Sequence, residues 1–169
     1  GEEGEYDLPF IDEASVRNSV TTAVVALHLG LSRELLAERM KNLEPVAMRL
    51  EVKEGQHGCT LINDSYNSDI NSLDIALDFM SRRPDHNGRK RTLILSDIYQ
   101  TGEPLDRLYK EVSNLCMQRG VNKIIGVGPQ IMEHADLIKV QEKFFFHDVT
   151  SFIHSTVFES LRDEVILIK

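Results

Sequence analysis

The stretch richest in side chains that could do chemistry is Asn63-Asp64-Ser65-Tyr66-Asn67-Ser68-Asp69, set between the apolar run Thr60-Leu61-Ile62 and a helix-patterned segment from Ile70 to Arg82. A short strand that ends in small polar residues and then opens a helix projects Asp64, Ser65, Tyr66 and Asn67 from its carboxyl end. That is where open α/β sheets hold ligands. The chemistry available is binding rather than nucleophilic attack, because Ser19, Ser65 and Ser96 all lack the Gly-x-Ser-x-Gly setting of a hydrolase nucleophile. Asn, Asp and Ser also cap helices and form turns with no ligand involved, so the loop alone leaves a structural reading open.

Other candidate groups carry less. Gly126-Val127-Gly128-Pro129 resembles half of a dinucleotide fingerprint, but it lacks the third glycine and has Pro129 where the helix opens, which reads as a tight turn. No Gly-x-x-x-x-Gly-Lys-Ser/Thr phosphate loop occurs. The histidines, His28, His57, His86, His134, His147 and His154, are scattered singly, and neither they nor Cys59 and Cys116 show metal-ligand spacing. The two cysteines are expected as buried thiols in a reducing compartment. Asp97, at the end of an apolar run, is open to two readings, a ligand contact or a cap. Phe144-Phe145-Phe146 reads as a buried parallel strand.

These groups need elements to hold them. Tyr6 to Phe10 reads as a short strand or extended lead-in, with Asp12 as a helix cap. Val16, Val20, Ala23, Val24 and Leu27 then form one face of a helix from Ala14 to Leu29. Gly30 stops it, and Ser32 caps a second helix with Leu35, Leu36 and Met40 on one side, closed by Leu43-Glu44-Pro45. Met48, Leu50 and Val52 alternate with polar residues, and the turn chemistry of Glu54-Gly55 and His57-Gly58 leads to a strand over Cys59 to Asn63, which predicts an antiparallel hairpin. Helices are expected over Ile70 to Arg82, Leu105 to Arg119, Gln130 to Ile138 and Ser151 to Leu161. They alternate with strands over Thr92 to Ser96, Lys123 to Val127, Lys143 to Phe146 and Val165 to Ile168. Such alternation with right-handed crossovers gives a mostly parallel six-stranded sheet covered by helices on both faces. The carboxyl ends of its parallel strands share one rim, which would carry Asn63-Asp64-Ser65, Ser96-Asp97, Gly126-Val127-Gly128, His147-Asp148 and Lys169.

A length of 169 residues suits one ordinary core with an appended piece of a second domain. The formal charge of −8, with both signs interspersed, speaks against a nucleic-acid partner. Arg82, Arg83, Arg89, Lys90 and Arg91, the one local basic cluster, read as a solvated helix end and loop. No apolar run is long enough to cross a bilayer, and Gly1-Glu2-Glu3-Gly4-Glu5 is acidic where a signal peptide is basic, which points to a cytoplasmic protein without membrane insertion. The abrupt start, and the end on an apolar strand, are expected to be cuts within something longer.

With the elements in place, the order of the motifs resembles the Mur ligases. Leu61-Ile62-Asn63-Asp64-Ser65-Tyr66-Asn67-Ser68, with Asn71-Ser72 beyond it, is similar to that family's Asp-Ser-Tyr-Asn-Ala-Asn-Pro signature. Pro45-Val46-Ala47-Met48-Arg49-Leu50-Glu51 resembles its Pro-x-x-x-Arg-x-Glu strand. Leu95-Ser96-Asp97-Ile98-Tyr99-Gln100-Thr101-Gly102-Glu103, Ile125-Gly126-Val127-Gly128 and the final Val165-Ile166-Leu167-Ile168-Lys169 follow in family order, the last matching the start of a Lys-Gly-Ser-Arg motif. The likeness runs from about Ala14 onward and is strongest to the MurF-like branch, which adds D-alanyl-D-alanine to UDP-MurNAc-tripeptide. Departures are Ala14-Ser15 for a His-Asn pair, Ser68-Asp69-Ile70 for Ala-Asn-Pro, and Gln100 for a glutamate.

The resemblance implies a Rossmann-like C-terminal domain over 44–169, led by a β-hairpin and preceded over 1–43 by a helical hairpin, the tail of the central ATPase domain. It implies an ATP site touched by Asn18 at the adenine, Arg49 on the nucleotide, Asp64 at the ribose, and Tyr66 and Asn67 in the same loop. Asp97 and Lys169 would face the substrate. A carboxylate can accept both ribose hydroxyls, and a planar guanidinium can lie over a purine or pair with phosphate. ATP and Mg would be held mainly by N-terminal and central domains outside this sequence, so the fragment alone is expected to be inactive, with no catalytic or metal-binding residue of its own. Pyridoxal phosphate would enter only through fusion to an alanine racemase. The alternative is a non-catalytic Rossmann-type nucleotide-binding or docking module.

Overall fold

The computed structural model describes residues 5–10, 13–44, 48–83, 88–99 and 102–169; Gly1, Glu2, Glu3, Gly4, Asp12, Pro45, Val46, Ala47, His86, Gln100 and Thr101, invoked above, lie outside them. The chain divides into two compact units, Gly1–Val46 and Ala47–Lys169.

The first unit is a helical hairpin of α1 (Glu13–His28) and α2 (Arg33–Lys41). Gly30, at φ +90°, supplies the left-handed turn between them, and Ser32 caps α2 by accepting from the Leu35 N–H. Ala23, Leu36 and Met40 form its small core, with Tyr6, Leu8, Ala26 and Leu27 against it. Residues 5–10 form no strand. The expected apolar face of α1 divides: Ala23 is buried, whereas Val20 and Val24 are 53% and 63% exposed.

The second unit holds a six-stranded sheet in the order β1-β2-β6-β3-β4-β5, where β1 is Glu51–Glu54, β2 Thr60–Asn63, β3 Lys90–Ser96, β4 Lys123–Val127, β5 Glu142–Phe146 and β6 Glu164–Ile168. β1 pairs antiparallel with β2, and every other pairing is parallel. The hairpin turns through a short 3-10 segment, Gln56–Gly58. Registers Asn63↔Ile168, Ser96↔Val127 and Val127↔Phe146 bring the carboxyl ends of the parallel strands to one rim. Helices α3 (Ile70–Arg82), α4 (Leu105–Gln118), α5 (Pro129–Glu133), α6 (Val149–Ile153) and α7 (Thr156–Glu159) complete the unit.

Period-two alternation decides which layer each strand residue feeds. Ile124 and Leu167 pack with Leu73, Leu77 and Met80 of α3 and Tyr109, Val112 and Cys116 of α4, while their neighbours Ile125 and Ile166 pack with Phe152 and Leu161. Cys59 and Cys116 are free buried thiols, and burial pushes the Cys116 thiol up to about 12, which leaves it without nucleophilic character at neutral pH.

Several expectations are corrected. The Met48–Val52 alternation does not make a strand from its start: β1 begins at Glu51, and Met48 and Leu50 sit at φ 59° and 48°. The run Gln130–Ile138 breaks after α5 into a 3-10 turn at Ala135–Leu137. The run Ser151–Leu161 divides into α6 and α7 because Ser155 takes a β-region conformation and caps α7, accepting from the Phe158 N–H. β5 is an edge strand, so Phe144 is 37% exposed and Phe145 and Phe146 are half-buried. The basic cluster is not merely solvated. Arg89 donates to the Gly58 carbonyl, the Thr60 hydroxyl and the Glu164 carbonyl, Lys90 pairs with Glu142 at 2.5 Å, and Arg82 pairs with Asp78 at 2.7 Å.

Asp69 and Asp148 each form a capping box with the serine three residues on. In both, the hydrogen bond from that serine's backbone N–H is the main cause that holds the carboxyl below its ordinary range. A depressed carboxyl stabilises the fold above its unfolded pKa, and that stability is lost as pH falls through the folded value. Asp69→Ala is expected to lower stability by about 1 kcal/mol at pH 7, with the deficit shrinking below pH ~4. Urea midpoints at the two pH values measure it.

Candidate functional site

The rim opens at the end of β2. Hydrogen bonding of the Asp64 N–H to the Ile168 carbonyl carries β2–β6 pairing one residue past Asn63, after which the chain turns. Asn63 Oδ1 fastens that turn, accepting from the Ser65 hydroxyl at 2.8 Å. Opposite it lies the segment before β1. The Tyr66 N–H donates to the Met48 carbonyl at 3.2 Å, and the Leu50 N–H donates to Asp64 Oδ1 at 3.0 Å. Arg49 stands between these two tethers, its guanidinium carbon 4.5 Å from the centroid of the Tyr66 ring.

Two non-glycine residues in left-handed backbone on either side of Arg49 cost roughly 1–3 kcal/mol each. An exposed cation–π contact returns only about 0.5–1 kcal/mol. The hook is therefore held by its hydrogen bonds to the 64–66 loop, not by the stacking. Arg49 is exposed, Tyr66 is 56% exposed and Asn67 is exposed, so this corner offers a planar cation, an aromatic ring and an amide to solvent.

Asp64 faces both ways. Its side chain is 14% exposed; Oδ1 receives the Leu50 N–H and Oδ2 receives the Lys169 ammonium at 2.5 Å. Each carboxylate oxygen has a second lone pair for an outside hydroxyl. Lys169, expected to face an incoming substrate, instead turns its ammonium to Asp64, with the side chain 1% exposed. Its charge also reaches Asp69, where it contributes less than the Ser72 hydrogen bonds to that carboxyl's lowered pKa.

Asp97, the other residue expected to face a substrate, is 4% exposed. Its Oδ1 accepts the Ile131 N–H at 2.8 Å and its Oδ2 the Gln130 N–H at 3.1 Å, so it acts as the cap of α5 from a distant strand end. Tyr99, 62% exposed, adds a long hydroxyl contact at 3.4 Å. Gly128, at φ +146°, leaves room for this: a Cβ there would meet the Asp97 carboxyl carbon at 2.5 Å. The Gly126-Val127-Gly128-Pro129 segment thus turns around Asp97.

The structure brings Arg49, Asp64, Tyr66 and Asn67 to one corner of the rim, with Lys169 directly beneath. Asn18 belongs to the first unit, exposed on α1. Among the described residues no cluster of three or more His, Cys, Asp or Glu could hold a metal ion, and no helix is long and apolar enough to cross a membrane. Sequence reasoning missed the left-handed hook and the Lys169–Asp64 pair. Neither has a residue-type signal, since Met and Leu do not mark positive φ and the ion-paired residues are 105 positions apart.

No family model matches the chain. It is 23% identical, over 128 residues, to the UDP-N-acetylmuramoyl-tripeptide–D-alanyl-D-alanine ligase of Bacillus subtilis, a match covering 76% of this chain and 28% of that protein. In structure it superposes with a TM-score of 0.75 on the UDP-N-acetylmuramoylalanyl-D-glutamyl-2,6-diaminopimelate–D-alanyl-D-alanyl ligase of Acinetobacter baumannii, at 20% identity, over 97% of this chain and 35% of that one. The MurF ligase of Thermotoga maritima, determined in complex with ADP, gives a TM-score of 0.72 at 17% identity over 95% of this chain and 35% of that one. The chain thus spans between a quarter and about a third of the length of these relatives, and its second unit has the fold of the Mur ligase C-terminal domain.

Proposed function

We propose that this chain, a MurF-like member of the Mur ligases, is the C-terminal portion of a cytoplasmic ATP-dependent ligase that joins D-alanyl-D-alanine to UDP-MurNAc-tripeptide in peptidoglycan synthesis. Residues 1–43 would be the tail of the central ATPase domain and 44–169 the domain that closes over the nucleotide. The observation that carries this is Arg49 held over Tyr66 at the exposed rim, in a chain whose sequence relatives are MurF ligases and whose fold is shared with an ADP-bound one.

The residues fit a nucleotide. A guanidinium fixed over an aromatic ring presents a flat cationic face to a purine or a charge to phosphate. Asp64 retains lone pairs for ribose hydroxyls, and Asn67 is exposed beside it. Asn18, exposed on α1, would be the adenine contact that the resemblance implies. Magnesium would sit with the phosphates on the other domains. In the ligase, the tripeptide's terminal carboxylate takes the γ-phosphoryl group of ATP, ADP departs, and the amine of D-alanyl-D-alanine attacks the acyl phosphate with loss of phosphate. This portion's share is positioning and exclusion of water, which keeps the acyl phosphate from hydrolysis.

Combining the chain with the remaining ligase domains should give D-alanyl-D-alanine-dependent release of phosphate from ATP, and Arg49→Ala should raise the KM for ATP about tenfold, the scale of one charge-assisted contact. Failure to restore ligation, together with saturable nucleotide binding by the chain alone, would instead indicate a stand-alone binding module.

A further inference from the structure

We propose that Lys169 is a positioning residue for the nucleotide corner: through Asp64 it fixes the Leu50 amide, and with it the left-handed hook that seats Arg49 over Tyr66. The inference rests on the reading of that corner as a nucleotide site, and it gives Lys169 a role distinct from contact with the dipeptide.

The connection is continuous. Lys169 is locked at both ends of its backbone unit, its N–H donating to the Ile94 carbonyl and its carbonyl accepting from the Ser96 N–H, so its side chain starts from the centre of the sheet. From there the ammonium reaches Asp64 Oδ2 at 2.5 Å in a site that leaves the lysine side chain 1% exposed. A carboxylate so held has few orientations. Its other oxygen is thereby aimed at the Leu50 N–H, 3.0 Å away. Leu50 sits at φ 48° and Met48 at φ 59°, conformations these residues leave unless tethered, and the second tether, Tyr66 N–H to the Met48 carbonyl, belongs to the loop that begins at Asp64. Arg49 lies between the tethers. Loosening Asp64 therefore releases Arg49 with no change in Arg49 itself.

A buried ammonium with one carboxylate partner could alternatively serve the fold alone. The two roles separate by measurement. In Lys169→Met, which keeps the length and removes the charge, the full chain is followed by amide hydrogen exchange at Leu50 and by the NMR shift of the Arg49 side-chain N–H, displaced by the Tyr66 ring current. Faster Leu50 exchange relative to the strand amides of β3 and β4 is expected, with the Arg49 signal moving to its unstacked position. In the assembled ligase the KM for ATP should rise about tenfold, as for loss of one charge-assisted hydrogen bond, while the KM for D-alanyl-D-alanine stays unchanged. In Lys169→Met combined with Arg49→Ala, the loss of ADP affinity should be smaller than the sum of the two single losses, because part of the Lys169→Met effect passes through Arg49.

Unchanged Leu50 and Arg49 signals in a folded variant would overturn the proposal, as would a rise confined to the KM for D-alanyl-D-alanine. If Lys169→Met does not fold, Asp64→Asn provides the second test. It keeps an acceptor for Leu50 but removes the ion pair, and it should shift the Arg49 signal in the same direction; an unshifted signal overturns the proposal. Expected NMR changes without ADP binding by the wild-type ligase would support the positioning role and defeat the nucleotide reading instead.

Discussion

Lys123→Met is expected to destabilise the sheet unit by about 3–5 kcal/mol, because it strands a carboxylate in the interior. Lys123 opens β4 and Glu164 opens β6, their side chains 7% and 6% exposed, with the ammonium 2.5 Å from Glu164 Oε1. Glu164 Oε2 accepts from the buried Thr92 hydroxyl. Removing the lysine leaves that carboxylate one hydroxyl in place of a full partner. Replacing both ends of the pair, Lys123→Met with Glu164→Leu, should recover most of the loss, since two apolar groups of similar volume carry no desolvation penalty. A deficit of about 1 kcal/mol should persist from the orphaned Thr92 hydroxyl. Urea unfolding of the two variants and the wild type provides the test, with an unchanged m-value showing that the compactness of the end states is preserved. A single variant within about 0.5 kcal/mol of wild type would mean that the pair is hydrated and contributes as surface pairs do. The network lies at the amino ends of the strands, away from the rim that carries Arg49 and Asp64, so nucleotide affinity should not change in the folded protein.

The fold was legible wherever one local signal agreed with the periodicity around it. Ile70–Arg82 forms with the expected bounds because Asp69 and Ser72 close a capping box ahead of the buried Leu73, Ala76, Leu77 and Met80. Lys123–Val127 is an interior strand because Ile124, Ile125, Gly126 and Val127 follow one another without a polar side chain, as burial on both faces requires. The expected helices Gln130–Ile138 and Ser151–Leu161 break in the structure because apolar spacing continues past interior interruptions. At Ser155, side-chain hydrogen bonding to the Phe152 carbonyl and from the Phe158 N–H competes with the helix. At the candidate site, residue types singled out Asp64 and Tyr66 and the resemblance added Arg49, and their geometry was not legible from either. Met48 and Leu50 read as alternating strand residues, and only long-range hydrogen bonds hold them in the left-handed region. Likewise Lys169 reads as a rim residue facing the substrate, and its side chain is buried because Asp64 is there to receive it.

Asp97 was the residue for which sequence left a cap and a ligand contact in balance, and Asp97→Asn separates them. Both carboxylate oxygens are occupied by backbone N–H groups at the start of α5, one of which, that of Ile131, lies in the buried core. An asparagine can accept from one of the two and must point its own N–H at the other. The variant should lose about 2–4 kcal/mol, from an unsatisfied buried donor and the loss of charge assistance in the remaining bond. Gly128→Ala should act through the same contact from the other side, since its Cβ would press on the Asp97 carboxylate while adopting a φ of +146° that alanine avoids. Burial, the main cause that holds the Tyr109 phenol well above its ordinary pKa, persists without the Asp97 charge, so no tyrosinate forms at neutral pH to substitute for the lost carboxylate. In the assembled ligase, the folded fraction of Asp97→Asn should keep the wild-type KM for D-alanyl-D-alanine within about twofold, because a capping carboxylate that is 4% exposed touches no substrate. A KM that rises tenfold with stability intact would assign Asp97 to the substrate and refute the cap.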